Sequence, residues 1–368
     1  MRILILSNFG MGLYKFRSEL IKELLQQGHR VHLSLPQDEY TDKLVELGCD
    51  YTQVNIDRRG TNPIKDLKLL FHYLSLMRKC KADLVLTYTI KPNIYGGIAS
   101  RLRKIPYLSN ITGLGSAFEN KGILERLTRQ LYSIGLRKAQ CVFFQNEVNR
   151  LRFIKDKLVK GKTRLIPGSG VNLAEHCLED YPPQEEAIRL LFIGRIMKEK
   201  GIDELFQAAE QVKNIYPFVQ FELIGFEEDC YSKQLHEYEV RGIIHYYGTQ
   251  EEVHSYLKRA HALLLPSYHE GMANVLLEAA ATGRPVLATR IPGCIETFEE
   301  GSSGMGFEPQ DVESMVKVIL DFIELPYEKK LAMGLAGRRK MEQEFDRNYV
   351  VDAYMEEINQ VTSGYVTS

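Results

Sequence analysis

Short apolar strands alternate with amphipathic helices through this chain in two successive runs, and this alternation most limits the folds it can adopt. The first run opens with RILILS and continues through RVHLSLP, ADLVLTYT, PYLSNIT and QCVFFQN. The second opens with IRLLFIG and continues through FVQFELIG, IIHYYG, ALLLPS and RPVLAT. Strands separated by helices form βαβ units, so each run predicts a parallel sheet and an α/β fold.

The two runs are separated by RLIPGSGVNLAEHCLEDYPPQEE, where glycines and prolines interrupt regular structure. Placing the boundary here gives two Rossmann-like domains, residues 1–168 and 169–345, with a cleft between them. Residues 346–368 predict a helix that returns to the first domain. The length of 368 residues agrees, because it exceeds what one ordinary core needs.

Charge is distributed unevenly, although the net charge is −1. Residues 1–180 hold 29 Lys and Arg against 17 Asp and Glu, whereas residues 181–368 hold 18 against 31. The basic half fits an anionic partner such as a membrane surface, a phosphate-bearing substrate or nucleic acid. Two solvated surfaces of different composition are the alternative.

Neither export nor a metal site is indicated. The opening MRILILSNFG predicts a buried strand and not a signal peptide, and no apolar run approaches the ~18 residues of a membrane span. The six cysteines show no CxxC and no metal-ligand spacing with histidine. We therefore expect a cytoplasmic protein with reduced thiols and no bound metal.

Ligands of open parallel sheets bind beyond the C-terminal ends of the strands, so residues that follow strands are candidates. Gly10 and Gly12 follow the first strand, where glycine amides and a helix N-terminus suit an anion. An ordinary tight turn is the alternative.

Two cations follow the first strand of the second run. Arg195 comes directly after Gly194, and Lys200 lies five residues further on. An arginine fork and a lysine point charge can hold a diphosphate and stabilise it as it leaves. The alternative is a solvated basic loop, and this is the interpretation that we prefer for Lys198.

Two carboxylates eight residues apart stand in YHEGMANVLLEAAATGRPV. Glu270 falls in a loop, and Glu278 on the second turn of the following helix, so the helix N-terminus around residues 271–274 lies between them. Glu278 could hold a ribose and Glu270 a second polyol. Alternatively, Glu270 only interacts with the helix dipole, and Glu278 is a solvated helix residue. An acid/base pair of the glycoside-hydrolase type fits this placement less well.

Taken in order, the GxG, GRIMKEKG and EGMANVLLEAAATGRPV segments resemble family-4 glycosyltransferases of the GT-B fold, in which two Rossmann-like domains face each other across a cleft. SNFGMGLYKFR, PQDEY and NITGLGSAF are similar to bacterial transferases that build glycans on polyprenyl-diphosphate carriers. The resemblance implies a retaining, metal-independent enzyme without a cofactor. It would move an N-acetylhexosamine or hexose from a nucleotide sugar, usually linked to UDP, to a polyprenyl-diphosphate-linked saccharide.

The resemblance also implies a role for each matching position. Arg195 and Lys200 would bind the donor diphosphate, while Glu278 would hold the ribose and Glu270 the transferred sugar. Further donor contacts would come from Gly10, Gly12, Gly194, Gly271, Met272, Ala273 and Asn274. Many members carry a histidine in the region that reads TYTIKPN here; because this chain has none there, Lys91 or Asn93 is the expected acceptor-side replacement.

Residues 121–164 contain 12 Lys and Arg against 3 Asp and Glu, and amphipathic basic helices lie on anionic membranes. We hypothesise that the first domain docks peripherally on the inner face of the cell membrane, and we expect no nucleic-acid partner. A GT-B nucleotide-sugar 2-epimerase is an alternative that gives the basic half no role. An exported sugar-binding protein lacks the signal, and a nucleic-acid binder would not use the diphosphate cations or the two glutamates.

Overall fold

The computed structural model describes residues 1–57, 60, 62–113, 122–183, 187–228 and 230–366. Part of the motif NITGLGSAF and Lys121, at the start of the basic segment, lie outside the described residues. The chain forms two compact units, one of Met1–Ser169 with Asn348–Ser368 and one of Gly170–Arg347. In the described ranges no helix combines the length and the apolar character that a bilayer span requires.

Unit 1 contains a seven-stranded parallel sheet in the order β3-β2-β1-β4-β5-β6-β7. Its strands are β1 (Arg2–Leu6), β2 (Arg30–Leu35), β3 (Asp50–Gln53), β4 (Leu84–Tyr88), β5 (Tyr107–Ile111), β6 (Cys141–Phe144) and β7 (Thr163–Leu165). The helices between them are α1 (Gly10–Gln26), α2 (Thr41–Glu46), α3 (Pro63–Lys79), α4 (Gly97–Arg103), α5 (Ile123–Gly135) and α6 (Glu147–Lys155). A π-helical turn at Pro92–Gly96 leads into α4.

Unit 2 contains a six-stranded parallel sheet in the order β10-β9-β8-β11-β12-β13. Its strands are β8 (Arg189–Ile193), β9 (Gln220–Ile224), β10 (Ile244–Tyr246), β11 (Ala262–Leu265), β12 (Val286–Thr289) and β13 (Gly304–Phe307). Its helices are α7 (Ile202–Ile215), α8 (Ser232–Val240), α9 (His254–Arg259), α10 (Asn274–Ala281), α11 (Val312–Glu324) and α12 (Tyr327–Glu344). Short 3₁₀ turns lie at Lys198–Lys200 and Ile295–Thr297.

The final helix, α13 (Arg347–Val366), packs within unit 1. Tyr354 is buried and stacks on Phe143 of β6 with ring centroids 4.2 Å apart. Its hydroxyl accepts a hydrogen bond from Asn110 Nδ2 at 2.7 Å. Arg164 of β7 forms ion pairs with Glu356 and with the buried Glu357. The chain therefore crosses back after unit 2 and completes the core of unit 1.

The apolar runs in the sequence correspond to the strands of both sheets, because a strand that is covered on both faces consists of consecutive hydrophobic residues. The α/β fold with two parallel sheets is confirmed. Strand order reverses once in each sheet, between β1 and β4 in unit 1 and between β8 and β11 in unit 2. At such switch points the loops after neighbouring strands diverge and leave a crevice. The candidate residues Gly10, Lys91, Arg195 and Glu270 all lie in or next to these loops.

Candidate active site

The first side of the unit 2 switch point is the loop after β8. The amide of Gly194 donates to the carbonyl of Ile224 at 2.9 Å, which continues the sheet by one residue. Arg195 then leaves the sheet and forms an ion pair with Glu228, in the loop after β9. Its side chain is 41% exposed. The guanidinium is therefore anchored on one side and open to a ligand on the other.

Lys200 is placed by a turn that only glycine can close. The 3₁₀ turn that carries it ends at Gly201, whose φ of 72° lies in the left-handed region. A Cβ on Gly201 would lie 2.1 Å from the carbonyl oxygen of Pro266, which follows β11. Beside it, the amide of Tyr268 donates to the carbonyl of Glu199 at 2.9 Å. The loops after β8 and β11 are thus held together by backbone contacts.

Glu270 forms an ion pair with Lys200, and the two side chains are 14% and 18% exposed. The backbone around Glu270 is fixed by Gly293, which has a φ of 88° and would carry a Cβ 2.8 Å from the Glu270 carbonyl oxygen. The carbonyl of Gly293 also accepts from the amide of Ala273 at 2.8 Å. Burial, with the negative charge of Glu270 as a second cause, raises the pKa of the nearby Cys294 thiol. The carboxylate therefore lies in a largely dry, rigid loop.

Helix α10 begins directly after this loop with no side chain capping its N-terminus. In the part of the chain that the structure describes, the Ser267 hydroxyl and Asn274 Oδ1 are buried and have no hydrogen-bond partner. Buried polar atoms in proteins are nearly always satisfied, so these two are candidates for contacts to a polar ligand. The side chains of Met272 and Ala273 are buried, so only their backbone groups are candidates for contact with a ligand. Glu278 lies partly exposed on the second turn of α10.

Unit 1 gives the two N-terminal glycines structural roles. The helical pattern in the sequence predicts a helix from about Tyr14, but α1 starts four residues earlier, at Gly10. The amides of Gly10 and Met11 donate to Asp38 Oδ2 at 2.5 and 3.3 Å. A Cβ on Gly10 would meet this carboxylate at 2.3 Å, and one on Gly12 would meet the Phe9 ring at 2.5 Å. The amide of Gly10 thus serves an internal anion. A contact of Gly10 and Gly12 with the donor phosphates stays a prediction.

The two acceptor-side candidates differ in exposure. Asn93 is 1% exposed, and its amide group is bonded inside unit 1 to Thr87 Oγ1 at 2.7 Å and to the Asn110 carbonyl at 2.8 Å. The Asn93 side chain thus links β4 to β5, and its acceptor role stays a prediction. Lys91 forms an ion pair with Asp66 at 2.6 Å. Its acceptor role stays a prediction.

Two carboxylates that bind candidate residues, Glu228 in unit 2 and Asp38 in unit 1, were not predicted as site residues from the sequence. Glu228 follows β9 in FEEDC and Asp38 follows β2 in PQDEY, so acidic residues after strands were the available signal. The expectation of no bound metal stays a prediction, although the structure brings together three residues that could ligate one. Cys177, Glu179 and His254 offer ligand atoms that all lie within 4.8 Å of one another. No sequence spacing indicates that group.

Comparisons with known proteins agree with the family resemblance and with the fold. Residues 2–146 match the family described as "Glycosyl transferase 4-like", and residues 178–340 match "Glycosyl transferases group 1". An N,N'-diacetylbacillosaminyl-diphospho-undecaprenol alpha-1,3-N-acetylgalactosaminyltransferase from Campylobacter jejuni is 27% identical, over 98% of this chain and 99% of its own length. A UDP-Gal:alpha-D-GlcNAc-diphosphoundecaprenol alpha-1,3-galactosyltransferase from Escherichia coli is 26% identical, over 71% of this chain and 72% of its own. The structure of a sucrose-phosphate synthase from Thermosynechococcus elongatus superposes with a TM-score of 0.81 at 20% identity, covering 99% of this chain and all of the other.

Proposed function

Because this chain belongs to the GT-B glycosyltransferases, with a 4-like domain followed by a group 1 domain, we propose that it is a retaining, metal-independent transferase. It moves a sugar from a UDP-sugar to a saccharide on a polyprenyl diphosphate. One observation carries the proposal. Arg195, Lys200, Glu270 and the uncapped start of α10 converge on the switch point of unit 2.

The donor diphosphate fits between the cations and the helix. Amides at the start of α10 suit phosphate oxygens, and the helix dipole adds partial positive charge there. Arg195 can offer a bidentate fork, since Glu228 engages one of its terminal nitrogens. The ammonium of Lys200 has three donors, so it can hold Glu270 and a phosphate oxygen together. Glu278 would accept hydrogen bonds from the two ribose hydroxyls.

Cleavage of the donor increases the negative charge on the diphosphate that these residues bind. As the bond between the anomeric carbon and the phosphate oxygen breaks, its electrons pass to the diphosphate. Arg195 and Lys200 then stabilise the leaving group more strongly than they stabilise the bound donor. Two side-chain cations thereby supply the charge that a divalent metal supplies in other transferases. We expect transfer to continue in the presence of a chelator.

Retention follows from where the acceptor hydroxyl enters. Its oxygen bonds to the anomeric carbon on the face that the diphosphate leaves, and its proton passes to a departing phosphate oxygen. Glu270 is a poor nucleophile here because it is ion-paired with Lys200. It would instead bind sugar hydroxyls and stabilise the positive charge that develops on the ring. An α-linked donor gives an α-linked product.

The names of the relatives support the substrate classes. The Campylobacter jejuni protein is named for N-acetylgalactosamine transfer to a diphospho-undecaprenol-linked sugar, and the Escherichia coli protein for a UDP-galactose donor and a similar carrier. For this chain we propose an N-acetylhexosamine or hexose as the transferred sugar. The acceptor is a saccharide on a polyprenyl diphosphate.

A lipid-linked acceptor requires access to a membrane, and unit 1 has a suitable surface. On α5, Leu127 and Ile134 are 49% and 42% exposed. The cations Arg126, Arg137 and Lys138 are exposed on the same helix and just beyond its end. Aliphatic side chains beside cations suit the interface of an anionic bilayer. We propose peripheral docking through this helix on the inner face of the cell membrane.

The docking experiment uses three charge reversals, Arg126→Glu, Arg137→Glu and Lys138→Glu. Arg129 is left intact because it forms ion pairs with Glu125 and Asp156. At about 1 kcal/mol per charge, binding to phosphatidylglycerol vesicles should fall roughly 100-fold or more. The matched control reverses three exposed lysines of unit 2: Lys233, Lys317 and Lys329. Equal vesicle binding by the wild type and the α5 variant would disprove docking through α5.

Transfer itself is tested by mass spectrometry with a panel of UDP-sugars and short prenyl-diphosphate glycans. We expect one acceptor to gain the mass of one hexose or N-acetylhexosamine, and Arg195→Ala to reduce the yield sharply. Proton NMR of the new linkage then reports the anomer. A β-linked product from an α-linked donor would contradict retention, and unchanged transfer by Arg195→Ala and Glu270→Ala would contradict the assigned site.

A further inference from the structure

Three potential metal ligands converge in unit 2, away from the cations of the candidate active site. Cys177 and Glu179 lie in the segment before β8, and His254 is the first residue of α9. Cys177 Sγ lies 3.6 Å from Glu179 Oε1 and 3.8 Å from His254 Nε2. His254 Nε2 lies 3.1 Å from the same carboxylate oxygen. Sulfur, nitrogen and oxygen thus form one small triangle.

The triangle has the dimensions of one face of a zinc tetrahedron. Zinc bonds of ~2.3 Å to sulfur and ~2.0–2.2 Å to nitrogen and oxygen imply ligand separations of about 3.4–3.6 Å around a tetrahedral ion. The observed separations of 3.1, 3.6 and 3.8 Å differ from these by a few tenths of an ångström. Small side-chain rotations would therefore bring all three atoms within bonding distance of one ion.

The backbone that carries these ligands is fixed by one buried arginine. Arg284 is 0% exposed, and its guanidinium donates to the carbonyl of Asp180 at 2.6 Å, in the ligand segment. It also donates to the carbonyls of Leu257 and Lys258 in α9, at 3.0 and 2.9 Å. The amide of Glu179 donates to the Thr282 carbonyl at 3.2 Å. Both ligand-bearing segments are thus held in place by the same connection between α10 and β12.

The charge state of the cluster suits a cation. Lys258 Nζ binds Glu179 Oε2 at 2.9 Å, which leaves Oε1 facing Cys177 and His254. A carboxylate oxygen is one of the ligand types that zinc binds. An outer partner that orients a ligating carboxylate is a common part of metal sites.

We propose that Cys177, Glu179 and His254 bind one zinc ion, with water as the fourth ligand. The ion joins the segment that enters unit 2 to α9. The backbone of Glu179 is hydrogen-bonded to the connection that precedes β12, at the N-terminal ends of the strands. Arg195 and Glu270 lie at the opposite, C-terminal ends. The proposed zinc site therefore shares no residue with the transfer reaction.

The chain contains an internal control for the first test. Cys177 and Cys230 are both exposed thiols of unit 2, and Cys230 belongs to no ligand group among the described residues. The full chain, stripped of metal by a chelator and dialysed, is alkylated with iodoacetamide, with and without one equivalent of zinc chloride. Zinc should slow alkylation of Cys177 about tenfold or more and leave Cys230 unchanged, because coordination removes the free thiolate. Magnesium chloride should protect neither thiol.

Direct binding provides the second test. Wild-type protein should retain one zinc per chain after dialysis, and Cys177→Ser and His254→Gln should retain none, as should the double variant. Replacement of zinc by cobalt should give the visible bands of a tetrahedral site and a thiolate charge-transfer band, which Cys177→Ser removes. Circular dichroism checks that each variant is folded. Equal alkylation rates of Cys177 with and without zinc, or equal zinc content in wild type and Cys177→Ser, would overturn the proposal. Loss of zinc with transfer intact would leave the proposed function standing.

Discussion

Substitution of Lys200 separates its structural role from its proposed chemical one. In Lys200→Met, Glu270 loses its cation while remaining 14% exposed. Breaking a fully buried pair costs about 3–5 kcal/mol and breaking an exposed one about 0–1 kcal/mol, so we expect a loss of about 2 kcal/mol in the free energy of unfolding. For a unit of this size, that lowers the melting temperature by about 4–8 °C.

The same substitution removes a charge from the leaving group. A unit charge ~4 Å from a phosphate contributes about 4 kcal/mol at an effective dielectric constant of ~20. Because Glu270 shares this ammonium, we expect a net loss of about 2–3 kcal/mol in the transition state, which is roughly 30- to 150-fold in kcat/KM. The assay measures initial rates of transfer from a UDP-sugar to a prenyl-diphosphate saccharide.

The double variant Lys200→Met/Glu270→Gln distinguishes the two effects. It leaves no uncompensated carboxylate, so stability should return to near the wild-type value while transfer stays low. Lys198→Met is the matched control, since Lys198 is exposed on the same 3₁₀ turn and should change stability by less than about 0.5 kcal/mol. Recovery of transfer together with stability in the double variant would refute the reasoning. So would an equal loss of transfer in Lys198→Met.

Three further predictions test the framework around the site. Gly201→Ala should destabilise unit 2 by about 1–3 kcal/mol more than Gly242→Ala and should also lower transfer. Both glycines have positive φ, but only at Gly201 would the added Cβ clash with another atom, the Pro266 carbonyl oxygen. Tyr354→Ala should destabilise unit 1 by about 3–5 kcal/mol and Tyr354→Phe by about 1 kcal/mol, seen as a shift of one calorimetric transition. In metal-free protein, the stability that Glu179 contributes should be complete above pH about 4.5 and lost as pH falls to about 2, since its pKa is lowered; denaturant titration against Glu179→Gln measures this.

Much of the fold could be predicted because burial on both faces makes each central strand a continuous apolar run. The resemblance to family-4 glycosyltransferases of the GT-B fold is confirmed by the two matching families. No elements were predicted for residues 37–81, although α2, β3 and α3 lie there. The edge strand β3 reads DYTQ, with no apolar run to detect. Helix α1 also starts earlier than predicted, since Asp38 binds the amides of its first turn.

Individual site residues were predictable, whereas their partners were not. Glycines that follow the strands indicated the loops in which Arg195, Lys200 and Glu270 lie. The ion pair of Glu228 with Arg195 joins residues 33 positions apart, and the pair of Lys200 with Glu270 spans 70. Such pairs depend on which strand ends are neighbours, and therefore on strand order. For the same reason the cluster of Cys177 with His254, 77 positions apart, has no sequence signature.

The most direct measurement is calorimetric titration of the full chain with UDP and with uridine. If Arg195 and Lys200 hold the diphosphate at about 1.5–3 kcal/mol each, the wild type should bind UDP roughly 100-fold or more tightly than uridine. The double variant Arg195→Ala/Lys200→Met should bind the two ligands with affinities within about tenfold of each other. A wild-type preference for UDP that survives in this variant would show that the diphosphate is held elsewhere, and would contradict the proposed donor site.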